Sequence, residues 1–119
     1  YLAVVPTYFA PKTVRSIDLM DIKVEIYANK MVLIHRGENV TVEPIQPYTT
    51  TRLLVGTFLP AVECLKSGLR EIGATGLFKS KPILHLEVKE MSEGGLSEVE
   101  QRCLNEMAYA AGARKVEFV

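Results

Sequence analysis

Ile22, Val24 and Ile26 alternate with Lys23, Glu25 and Tyr27. A period of two places alternate side chains on opposite faces, so this segment predicts a strand with one apolar face. Ala28-Asn29-Lys30 reads as a turn, and Met31 to Arg36 as a second strand. Gly37-Glu38-Asn39 reads as the next turn, followed by a third strand in which Val40 and Val42 alternate with Thr41 and Glu43. Pro44 has no N–H for a ladder and ends that strand or confines it to an edge. Three strands on short turns predict an antiparallel meander.

The period then changes. Ile45 to Thr51 is a loop, and Arg52 to Val55 reads as a short strand or an early helical turn. Thr57 is an N-cap candidate, and Pro60 falls in the first turn, where a missing N–H costs little. Phe58, Val62, Leu65, Leu69 and Ile72 make an apolar stripe at helical spacing, with Gly73 as the stop. Gly76 to Lys81 is a loop, and Pro82 to Val88 a fourth strand. Gly94-Gly95 opens another loop. Ser97 with Glu100 forms a capping box for a helix expected to bury Val99, Cys103, Met107 and Ala110. Gly112 suits the position after the helix, and Lys115 to Val119 reads as a last strand with Val116 and Phe118 on one face.

The order is strand, strand, strand, helix, strand, helix, strand. Right-handed crossovers would put both helices on one face of a mixed five-stranded sheet. Strands one, three and five each keep a polar second face, with Lys23, Glu25, Tyr27, Thr41, Glu43, Lys115 and Glu117 on it. That face is expected to be solvated, covered by residues 1–19, or used by a partner. Residues 1–19 read as an N-terminal extension, either an arm or upstream sequence, and residues 20–119 as one domain, with Met20 at its start. The extension begins Tyr1, Leu2, Val4, Val5, Tyr8, Phe9, an apolar run without a basic leader.

Charge narrows the function. Fourteen basic residues balance 14 acidic ones, so the chain lacks the surplus that neutralises phosphates or anionic lipid. No apolar run approaches the ~20 residues of a transmembrane helix. Partners are therefore expected to be proteins, with neither nucleic acid nor membrane among them. The two cysteines, Cys64 and Cys103, lie in helical patterns and read as small buried hydrophobes of a reducing cytoplasm.

Candidate chemistry is thin. Gly94-Gly95 before a helix could cradle an anion, yet Glu93, Glu98 and Glu100 crowd that end and suit a turn and cap instead. Glu25, Glu87 and Glu63 are the carboxylates that could hold two Mg²⁺ ions, but Lys23 and Lys89 are interleaved with them. His35 and His85, both in strands, could be neighbours, and His85 shares a face with Glu87; two histidines and one carboxylate make a sparse metal site. Cys64 lacks a nearby base that would activate it. No catalytic, cofactor-binding or metal residue is assigned.

The element order resembles the ribonuclease-H-like fold as used in the first subdomain of actin-like ATPases. Asn29-Lys30-Met31-Val32-Leu33-Ile34-His35-Arg36-Gly37, Val40-Thr41-Val42-Glu43-Pro44 and Arg52-Leu53-Leu54-Val55-Gly56 resemble early segments of the bacterial MreB family. Ser97-Glu98-Val99-Glu100-Gln101-Arg102 and Ala111-Gly112-Ala113-Arg114-Lys115-Val116 resemble the MreB stretch that begins a helix and enters the next strand. Glu90-Met91 with Glu93-Gly94-Gly95-Leu96-Ser97, and Arg52-Leu53-Leu54 followed by a helix, are similar to the small enterobacterial stress-response proteins of the YjaA type. The resemblance implies an actin-like framework in a small cytoplasmic bacterial protein, linked to cell shape or stress. The first hairpin of MreB carries an Asp-Leu-Gly-Thr type phosphate loop; here that turn is Tyr27-Ala28-Asn29-Lys30, without Asp or Gly. Residues 1–119 hold no counterpart of the second half of an actin-like protein, and no ATP-site residue is expected to carry over. The expected function is a non-enzymatic interaction module that binds a protein or itself, through a sheet edge or the arm. The alternative is a small metal-dependent hydrolase or nuclease.

Overall fold

The structure, a computed structural model, describes residues 20–75 and 80–119. The extension and most of the Gly76–Lys81 loop lie outside the described residues. Strands β1 (Asp21–Tyr27), β2 (Lys30–His35) and β3 (Glu38–Val42) precede helix α1 (Phe58–Glu71). Strand β4 (Ile83–Val88), helix α2 (Glu98–Ala110) and strand β5 (Lys115–Phe118) follow. The sheet order is β3-β2-β1-β4-β5. β1 pairs antiparallel with β2 and parallel with β4; β2–β3 is antiparallel and β4–β5 parallel.

The alternation expected of β1 is realised: Ile22, Val24 and Ile26 are fully buried. Met31 and Leu33 of β2 and Leu84 and Leu86 of β4 extend the same apolar face. At roughly 1.5–3 kcal/mol for each buried large aliphatic side chain, this face is the main source of stability. Both helices pack against it, α1 over β2 and β3, α2 beside α1 and against β5, and all these residues share one core.

Gly68 shows how closely α1 approaches the sheet. A Cβ there would sit 2.7 Å from Leu33 Cδ1 and 3.2 Å from Val42 Cγ2. The turn between β2 and β3 is Arg36-Gly37, one residue tighter than the sequence suggests. Both residues have positive φ (51° and 84°), the backbone that matches strand twist in a two-residue hairpin loop.

Helix ends follow local chemistry. Ser97 accepts from the Glu100 amide while the Glu100 carboxylate accepts from the Ser97 amide, a complete capping box. Both helices close with a positive-φ glycine. The Ala74 amide donates to Leu69 O after Gly73, and the Ala113 amide to Ala108 O after Gly112. Thr57 occupies the N-cap of α1, but its side chain makes no capping bond.

Three expectations are corrected. Arg52–Val55 is neither strand nor helix but an irregular loop that turns Leu54 into the core. The buried stripe of α2 is Leu104, Met107 and Ala108, continued by Ala111; Val99 is 77% exposed and Ala110 also faces outward. The stripe is displaced because α2 meets α1 on one side and β5 on the other, leaving the first turn of α2 beyond the edge of the core. Phe58, at the start of the α1 stripe, is likewise half exposed.

Candidate functional site

Two places concentrate polar chemistry: the open sheet face and the turn between β1 and β2. On the open face the parallel register sets Lys23 beside His85 and Glu25 beside Glu87, and the β4–β5 register sets His85 beside Glu117. Glu25 and Glu87 are like charges directly opposite one another. Lys23 resolves the repulsion: its Nζ lies 2.9 Å from Glu87 Oε1 and 3.6 Å from Glu25 Oε2.

Glu87 Oε1 is shielded from solvent and makes no well-directed hydrogen bond, so its contact with Lys23 is an ion pair held by distance rather than by angle. Lys89 Nζ donates to Glu87 Oε2 at 3.3 Å. The Lys23 ammonium, then that of Lys89, holds the Glu87 carboxyl below its ordinary pKa, and Glu87 raises Lys23 in return. Tyr27 donates to Glu25 Oε1 at 3.2 Å; burial and then the Glu25 charge raise its phenol.

His85 lies between two carboxylates. Its Nε2 is 2.9 Å from Asp21 Oδ1 and its Nδ1 is 3.3 Å from Glu117 Oε1. A protonated ring donates to both, a neutral ring to one. His35 Nδ1 is 2.9 Å from the carbonyl oxygen of the same Asp21, so both histidines converge on that residue. The open face thus carries two side-chain clusters, Glu25–Lys23–Glu87–Lys89 across β1 and β4 and Asp21–His85–Glu117–Lys115 across β1, β4 and β5.

The sequence candidates are only partly assembled. Glu25, Glu87 and His85 share the open face, whereas Glu63 is exposed on α1, across the sheet from them. Among the described residues, no group of three His, Cys, Asp or Glu is arranged to hold a metal ion. Cys64 is buried, its Sγ 3.9 Å from Val42 O, and burial pushes its thiol up to about 11. Cys103 is half-buried, and burial raises its thiol as well. Gly94 and Gly95 adopt positive φ in the turn before α2, whose first amides are served by the capping box.

Sequence reasoning passed over the residues that serve the β1–β2 turn. Its three successive amides all have side-chain acceptors. Ala28 N donates to Glu90 Oε2 (3.2 Å), Asn29 N to Thr49 Oγ1 (3.0 Å) and Lys30 N to the Tyr48 hydroxyl (2.8 Å). The Tyr48 hydroxyl also lies 2.5 Å from Tyr27 O and 2.8 Å from Lys30 O, with one proton to give to either. Asn29, at φ 50°, answers with its side-chain oxygen, which accepts from Tyr48 N (2.9 Å) and Thr49 N (3.0 Å). Tyr48 is fully buried, and Gly56 N and Thr57 N close the loop on its carbonyl. The sequence signal was an Asn in a tight turn and an aromatic among threonines; their meeting depends on a loop reversal that no local pattern encodes.

No family model and no curated protein matches the chain. No helix among the described residues is long and apolar enough to cross a membrane.

Proposed function

We propose that the chain is a non-enzymatic protein-interaction module on a ribonuclease-H-like, actin-like framework: a relative of the first MreB subdomain that does not bind nucleotide. The strand order β3-β2-β1-β4-β5, with β2 alone running against the other four strands, supports the framework. The observation that carries the functional reading is the filled turn. In a phosphate-binding hairpin the turn amides must be free to donate to the anion. Here Glu90, Thr49 and Tyr48 accept from all three, and one acceptor is itself a carboxylate.

The process is proposed to be cell shape or stress response in the cytoplasm. The binding surface is an edge strand, β3 or β5, or the charged sheet face, and the partner is a bacterial protein or a second copy. Isothermal titration of the full chain with MgATP should give no saturable heat. Saturable binding at micromolar concentration would overturn the reading. Capture from a bacterial lysate, with the full chain as bait, is the route to the partner; co-sedimentation with actin-like filaments tests whether the filament is that partner.

A second reading, a small metal-dependent hydrolase or nuclease, draws on Glu25 facing Glu87 across β1 and β4 with His85 nearby. Mn²⁺-dependent cleavage of a nucleic acid, abolished by Glu87→Gln, would favour it. The Lys23 ammonium already occupies the space between the carboxylates, which weighs against it.

A further inference from the structure

One surface feature is left unused by the proposed function. A groove of about 220 Å³ runs between the 53–56 loop and the first half of α2. Leu53, Leu54 and Val55 form one wall, and Leu96, Val99 and Cys103 the other. Leu53 is 42% and Val99 77% exposed. Among the described residues, Glu100 is the sole charged one at the groove, and its carboxylate is committed to the capping box, 3.0 Å from Ser97 N and 3.1 Å from Ser97 Oγ. The groove thus offers apolar surface without a polar anchor. It is smaller than the ~300–1,000 Å³ of a typical small-molecule pocket, and its scale suits a few apolar side chains.

We infer that the groove is filled by the chain's own N-terminal segment, residues 1–9. Tyr1, Leu2, Val4, Val5, Tyr8 and Phe9 supply apolar side chains, and no charged residue occurs before Lys12. This composition matches a groove that discriminates by burial alone.

The tether is long enough. Met20 lies where the sheet begins, its carbonyl accepting from Ile83 N at the start of β4. The groove lies at the opposite end, beside the loop whose Tyr48 meets the end of β1. The seven residues of β1 span roughly 23 Å at ~3.3 Å each. Residues 10–19, fully extended, reach roughly 33–36 Å. About 10 Å remains for the step from the sheet to the helix layer, close to the ~10 Å spacing of packed layers. Tethering also places the segment at an effective concentration in the millimolar range, so a modest apolar contact is enough to keep the groove occupied.

Cys103 makes the proposal measurable, because it lines the groove, while Cys64 lies in the core as an internal control for folding. In the full chain carrying Val4→Asp, Val5→Asp and Phe9→Ser, alkylation of Cys103 by iodoacetamide should accelerate about tenfold, as expected when a groove filled about nine-tenths of the time is freed. Cys64 should stay slow in both chains, and the Cys103 rate in the unsubstituted chain should not depend on protein concentration. An unchanged Cys103 rate with Cys64 still protected would overturn the inference. Protection that strengthens with protein concentration would also overturn it, assigning the groove to a second copy. Should Cys64 become reactive, so that the triple variant has lost its fold, the decision passes to Val5→Cys in the otherwise unsubstituted chain. Under mild oxidation the thiol introduced by that substitution should form a disulfide with Cys103 within one monomer, found by peptide mapping. A disulfide-linked dimer, or no linkage, would refute the proposal.

Discussion

Tyr48 ties the 43–57 loop to the first hairpin. Its ring is in the core, and its hydroxyl closes the first hairpin against the 43–57 loop. Tyr48→Phe keeps the ring and strands the Lys30 amide and a carbonyl. A buried polar group without a partner costs about 1–3 kcal/mol. In a domain of this size each kcal/mol is worth roughly 4–8 °C. Thermal unfolding followed by circular dichroism should therefore show a clear drop in Tm. Burial raises the Tyr48 phenol above its ordinary 10.0. The unfolded chain then ionises first, so this contribution is complete below pH 10.0 and is lost as pH climbs above it. The Cys64 thiol acts in the same direction between 9.0 and about 11. Urea unfolding across that range should show stability falling in both proteins, less steeply in Tyr48→Phe. Little of this was legible in the sequence. Tyr48 stands in a segment rich in Pro and Thr, where a turn residue and a core residue look alike, and only the return of the loop beneath the hairpin tells them apart.

Among the elements, the β1–β4 pair decides the chemistry of the open face. The alternation of Lys23, Glu25 and Tyr27 marks a polar face, and Glu87 with Lys89 marks another. That Glu25 lands opposite Glu87, with Lys23 between, is a matter of register. Removing the ammonium by Lys23→Met should raise the Glu87 pKa toward its ordinary 4.5, a change read from the carboxyl carbon shift in an NMR titration. The sign follows: a depressed carboxyl stabilises the fold above 4.5 and loses that contribution as pH falls. The unsubstituted protein should therefore lose more stability on acidification than Lys23→Met does. An unmoved Glu87 would show that Lys89 alone sets its ionisation. Helix boundaries were easier to read, because the Ser97 cap and the Gly73 and Gly112 stops are local interactions. The buried face of α2 was harder. Val99 and Cys103 fit a 3.6-residue period as well as Leu104 and Met107 do, and the neighbouring elements select between them.

Across the whole molecule, stability should be graded from the centre of the sheet outward. β1 has neighbours on both sides and three fully buried side chains, while β5 is a short edge strand with Phe118 40% exposed. Amide hydrogen exchange should be slowest at Val24, Ile26 and Leu84, approaching the global unfolding limit, and faster by orders of magnitude at the free edge of β5. Equal protection throughout would contradict the gradient and point to a covered β5 edge. The sequence by itself determined the element order, the mixed sheet with one apolar face and the helix ends, because period, capping and glycine stops act over a few residues. It also set the balanced charge. Tertiary structure alone decided which carboxylates meet, that a lysine separates them, that Tyr48, Thr49 and Glu90 take up the amides of the first turn, and that an apolar groove opens beside α2. Those outcomes rest on contacts between residues 18 to 64 positions apart, and such contacts depend on strand register and loop return rather than on local pattern.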